Sequence, residues 1–143
     1  MALSTLACGL ALALPPLVVD YPVVTDLPQH LGQVRAFLES LQQPSSPYVI
    51  QWATPYLLGY LLPLLGWLAV GPLWAGKVTL ALCAFGWSAA VHALARRAGR
   101  GAATAALACA PFFGTSLQWG FLSFLVGFPV FAVYFTQLER ALD

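Results

Sequence analysis

The chain has 143 residues, of which 60% are hydrophobic and only 8% charged, against about 25% charged in an ordinary soluble domain. So few charges cannot cover a water-facing surface, which favours a lipid-facing one. The formal net charge of +1 excludes nucleic acid, or any other polyanion, as a partner by bulk electrostatics.

The charges are also clustered. None lies before Asp20, between Glu39 and Lys77, between Lys77 and Arg96, or between Arg100 and Glu139. Uncharged apolar runs of about 18 residues or more read as transmembrane helices. The first such run, residues 1–19, lacks the basic start of a secretory signal. It reads as a first span, frayed or kinked at Pro15 and Pro16.

A polar connection follows, residues 20–51, with three of the five acids, one of the two histidines and the turn signal Pro44-Ser45-Ser46-Pro47. Within it, the pattern predicts a helix over about residues 27–42. Asp26 stands at its N-cap, Gln29 completes a capping-box spacing, and Pro28 falls in the first turn where a missing N–H costs little. Leu27, Leu31, Val34, Leu38 and Leu41 make one apolar stripe, with Arg35 and Glu39 opposite. Asp26, His30, Gln33 and Phe37 form a third strip beside it. This is the pattern of a helix lying in the membrane interface, its stripe on lipid or on spanning helices.

The second span covers residues 53–74, with Gly71-Pro72 and Gly76 marking a tight turn. The third covers residues 78–94 and stops at Arg96-Arg97-Ala98-Gly99-Arg100. The run from Gly101 to Leu138 is too long for one span, reaching about 57 Å against a hydrocarbon core of about 30 Å. Its most polar part, Gly114 to Gly120, divides it into spans at residues 102–117 and 120–138. Tyr48, Trp52, Tyr56, Trp74 and Trp119 lie near span ends, where amphipathic rings sit at headgroup level. Cys8, Cys83 and Cys109 each sit in an apolar run without metal or disulfide spacing, and read as small core residues. His92 reads as a helix-end cation beside the arginines and Lys77 as an interface anchor. Thr115 and Gln118 line a cavity or satisfy backbone at the break.

The expected fold class is therefore all-α: a polytopic transmembrane helix bundle of about five spans, with an amphipathic interfacial helix in the first loop. Residues 1–143 form one membrane domain, either a complete small protein or the N-terminal piece of a longer one. The partner is a lipid bilayer, and the expected place is a bacterial inner membrane.

Chemistry concentrates on Asp26 and His30, four residues apart on one helix face. A carboxylate beside an imidazole transfers protons, or binds a divalent metal that neutralises a phosphate. The plainer reading makes Asp26 a cap and His30 an interfacial polar residue. Asp20 is a second candidate acid, whose plainer role is to end the first span.

The order of features resembles the N-terminal third of the membrane-embedded C-superfamily glycosyltransferases. The features are a first span, a loop with an Asp-bearing short helix, a second span opened by Thr54-Pro55-Tyr56-Leu57-Leu58, and the basic turn at Arg96–Arg100. Large bacterial multi-span proteins with an Asp-x-Pro-x-His element, here Asp26-Leu27-Pro28-Gln29-His30, are similar too. The resemblance implies sugar transfer from a polyprenyl-phosphate carrier. Asp26 would then be base or metal ligand, His30 its neighbour, and Gln33 and Asp20 substrate contacts. Leu27 stands where a second acid often follows in that family, and the basic residue before its second span is absent. The non-enzymatic alternative is a transport or assembly module anchored by the loop helix. Five spans put Asp26 and the arginine turn on one side of the membrane, cytoplasmic by the positive-inside rule, whereas the resemblance places Asp26 outside.

Overall fold

The structure is a computed structural model that describes residues 1–43, 45–52 and 57–142, with only the backbone of Leu58, Glu139, Arg140 and Leu142. Pro44, the opening of the second span at Ala53–Tyr56, and Asp143 lie outside the described residues. Within them the chain is all-helical. Helix α1 spans Ala2–Val18, α2 Leu27–Gln42, α3 Leu57–Val70, α4 Pro72–Arg97, α5 Ala102–Ala108, α6 Thr115–Trp119 and α7 Leu122–Leu142, with a 3-10 turn at Ala110–Phe113.

Helix α4 is the axis, and α1, α3 and α7 pack around it. Its inward residues Leu80, Cys83, Ala84, Trp87 and Val91 form the core with Phe112, Leu122 and Leu125. Trp87 gathers Phe128 at 4.3 Å, Phe112 at 5.9 Å and Phe124 at 6.1 Å between ring centroids. Glycines let the helices close in, as small residues do in lipid. Gly9 of α1 lies against Phe85, and a Cβ on Gly86 would sit 3.2 Å from Pro129 of α7. Cys83 and Cys109 are buried and Cys8 half-buried, as small core residues should be.

Several boundaries differ from the sequence pattern, each for a physical reason. Helix α1 runs through Pro15 and Pro16 to Val18; each proline lacks the N–H that would bond a carbonyl one turn back, and the helix ends just beyond them. Helix α4 begins at Pro72 rather than Val78, since Gly71, at φ 79°, reverses the chain alone and Pro72 then starts the helix. Gly76 is not a turn residue: it sits inside α4, where Leu27 and Leu31 of α2 press to 3.1 Å from the place of a Cβ. The expected fourth span is interrupted after seven residues, at Ala108. Pro111 tightens the chain into the 3-10 turn, and Gly120, at φ 78°, ends α6.

Among the described residues, α4 alone is both long and apolar enough to cross a bilayer; α1, Gly59–Val70 and Leu122–Leu138 are apolar but shorter. The outer surface is apolar nonetheless. Leu3, Leu6, Leu10 and Leu14 make an exposed row on α1, and Val130, Phe131, Val133 and Tyr134 are exposed on α7.

Helices α1 and α4 run antiparallel. Ser4 meets His92, Thr5 meets Ser88, and Gly9 meets Phe85, while Asp20 and Tyr21 share a cleft with Trp74 and Lys77. Leu27 and Leu31 rest on Gly76, at the same early end of α4. Asp26 and the Arg96–Arg100 turn therefore lie toward opposite ends of α4. The end of α1 and Gly71 lie toward the same end of α4. The described part of α3 has 14 residues, or about 21 Å of helix.

Candidate functional site

Helix α2 forms where the sequence pattern places it, and its stripe decides how it docks. Leu27 and Val34 are buried, Leu31 and Leu38 half-buried, and Leu41, at the far end, is exposed. The stripe rests on α3 and the start of α4. Asp26 occupies the N-cap position, but its side chain makes no cap hydrogen bond, which corrects the capping-box expectation. The reason is in the backbone: at φ −92° and ψ −3° Asp26 is already helical, whereas a capping residue is extended.

The Asp26 backbone is used instead to hold a distant turn. The Thr25 N–H donates to the Gln118 carbonyl at 2.9 Å, and the Asp26 N–H to the Trp119 carbonyl at 3.2 Å. Gly120 fits against them so closely that a Cβ there would lie 2.8 Å from the Asp26 nitrogen. Two polar stretches of the sequence, Asp26 to His30 and Thr115 to Gly120, are thus brought into contact. Gln118 contributes its carbonyl to this junction, while its side chain is exposed.

His30 is half-buried one turn along α2, and its ring meets the edge of Tyr60 at 5.1 Å between centroids. Its Nδ1 is buried and has no hydrogen-bond partner among the described residues. Burial pushes the imidazole below its ordinary value, outweighing the Gly120 backbone and the Asp26 carboxylate, which both favour the charged form. His30 is accordingly a neutral base at pH 7. Asp26 and His30 gather no third His, Cys, Asp or Glu close enough to complete a metal cluster among the described residues.

A groove of about 750 Å³ opens between α2 and α3, lined by neither Asp26 nor His30 but by Tyr60, which His30 meets. Gln33, Phe37 and Ser40 line it from α2, residues 48–52 from the connection, and Leu57, Tyr60 and Leu64 from α3. Gln33 reaches the Tyr60 hydroxyl, and Trp52 meets Phe37 edge-on at 5.9 Å. Asp20 stands apart, in the smaller cleft of about 310 Å³ with Tyr21, Leu73, Trp74 and Lys77. There the Lys77 ammonium lies 5.0 Å from the Trp74 ring centre. The structure therefore joins Asp26, His30 and Gln33 along one side of α2 and leaves Asp20 outside.

Two residues of the junction are not marked by the sequence pattern. Tyr60 is concealed in an apolar run, and Gly120 signals a helix break without saying what the break meets. His92 is a third departure. It does not stand in water at a helix end but lies 1% exposed between α1 and α4, where Ser4 and Ser88 pair both its nitrogens.

No protein-family model, curated protein or solved structure matches the chain.

Proposed function

We propose that the chain is a multi-pass protein of a bacterial inner membrane that transfers a sugar from a lipid-phosphate carrier, with the carrier's hydrocarbon in the groove between α2 and α3. The observation that carries this reading is an apolar groove of about 750 Å³ whose wall residue Tyr60 meets the ring of His30, one helical turn from Asp26. A carrier chain suits Phe37, Leu57 and Leu64, while Gln33 and Tyr60 offer hydrogen bonds at the polar end. His30 accepts the proton of the acceptor hydroxyl, and Asp26 stabilises the imidazolium that results. The exposed apolar rows on α1 and α7 suit lipid, since soluble monomers seldom expose such patches. With the Arg96–Arg100 turn in the cytoplasm, Asp26 faces the outer side, which removes the orientation conflict of a five-span count.

The non-enzymatic alternative, a transport or assembly module, draws on one observation. The backbone of Thr25 and Asp26 clamps the α6–α7 turn, a purely structural use for this segment.

The test is binding of a polyprenyl-phosphate sugar to detergent-purified protein, with Asp26→Asn and His30→Ala as variants. Binding weakened about tenfold or more in both, or about 1.4 kcal/mol, with helicity intact, supports the enzyme. Absence of binding by the unaltered protein, or binding indifferent to both changes, favours the module.

A further inference from the structure

At the opposite end of α4 from Asp26, a buried hydrogen-bond chain joins α1 to α4. His92 Nδ1 lies 2.8 Å from the Ser88 carbonyl oxygen, and Nε2 lies 2.9 Å from Ser4 Oγ. A carbonyl can only accept, so Nδ1 carries a proton, and in the neutral ring Nε2 then presents its lone pair. The Ser4 hydroxyl donates to that lone pair. Separately, Ser88 Oγ donates to the Thr5 carbonyl at 2.8 Å, fixing the turn of α4 that carries the orienting carbonyl against α1.

These are the parts of an activated nucleophile: a hydroxyl, a base within reach, and a third group that sets the base's tautomer. The ring is 1% exposed and Ser4 is half-buried, so the base is sheltered and the serine sits nearer the surface. Ser4 also lies in the first turn of the 17-residue helix α1. Backbone N–H groups there lack intrahelical partners, and the helix dipole is positive, as a developing oxyanion requires. One turn beyond His92, Arg96 is exposed, at a position suited to an anionic headgroup.

We infer that Ser4 and His92 form a second reactive site, a serine nucleophile and its base, acting on the ester of a phosphate-bearing lipid. Ser4 Oγ bonds to the ester carbonyl carbon as its proton passes to His92 Nε2. The carbon–alkoxy bond then breaks, and the leaving alkoxide takes that proton. Water, deprotonated by the same nitrogen, releases the acid and restores the serine. This site shares with the sugar-transfer reading only its membrane setting, and its test in detergent is independent of both.

The experiment is labelling of the purified protein by a tagged alkyl fluorophosphonate, which bonds through phosphorus to an activated serine with loss of fluoride. Mass mapping locates the adduct. The expected result is an adduct on Ser4, none with Ser4→Ala, and a labelling rate about 100-fold or more lower with His92→Ala. Far-ultraviolet circular dichroism confirms that each variant keeps its helices. If His92→Ala fails to fold, the comparison of the unaltered protein with Ser4→Ala still decides. No adduct on Ser4, or a rate unchanged by a folded His92→Ala, overturns the site and leaves an interhelical clasp.

Discussion

The two histidines sit in opposite circumstances, and the contrast shows where polar groups are held and where they are left poised. His92 is enclosed between α1 and α4 with both nitrogens paired. His30, at the junction of α2 with the α6–α7 turn, keeps a buried Nδ1 without a partner among the described residues. A fully paired buried group stabilises the fold that surrounds it, while an unpaired one costs free energy. Stability alone therefore explains His92 more readily than His30.

The largest expected effect breaks the His30 side of that comparison through its backbone frame. Gly120 adopts φ 78° and faces the Asp26 nitrogen. Gly120→Ala meets both a left-handed backbone and a clash with main chain, at a cost of about 2–4 kcal/mol. Denaturation in mixed micelles measures it. A loss under about 0.5 kcal/mol would mean that the turn and Asp26 are not clamped together.

Next in size, His92→Phe leaves the Ser4 hydroxyl without its acceptor, and about 1–2 kcal/mol should be lost. His30→Phe keeps an edge to pack on Tyr60 and removes the unpaired nitrogen. Its stability at pH 8 should stay within about 0.5 kcal/mol of the parent. Equal losses from the two changes would erase the distinction between a paired and an unpaired imidazole.

How much of this was legible depends on the range of the interaction involved. The bounds of α2 were readable because capping position, proline and apolar stripe all act within one helix. Gly71 was readable as a turn because its demand is local. The role of Gly76 was not, since only the arrival of Leu27 and Leu31 shows that it is a contact surface rather than a bend. The interruption of the fourth crossing has a local cause, Pro111, yet the Ala-rich stretch before it masks the weakness. His92 looked ordinary because its partner Ser4 is 88 residues away. Asp26 and His30 were found by spacing, but Gly120, which shapes their surroundings, joins them only through tertiary contact.

The smallest effect is a pH dependence that should belong to His30. Burial holds its folded-state value below the ordinary 6.5. Above about pH 7.5 neither the folded nor the unfolded imidazole holds a second proton, so His30 adds no slope. As the pH falls through 6.5, the unfolded chain takes up a proton that the folded chain resists, and stability declines. The decline ends once the folded imidazole charges as well. His30→Phe should lack this component, so the gap in melting temperature between parent and variant should shift against the parent from about pH 8 to about pH 5.5. Taking the difference cancels the carboxylates, which begin to titrate at the acid end of that range. A gap that stays constant would mean that His30 is solvated, and with it would go the neutral base that meets Tyr60 of the groove.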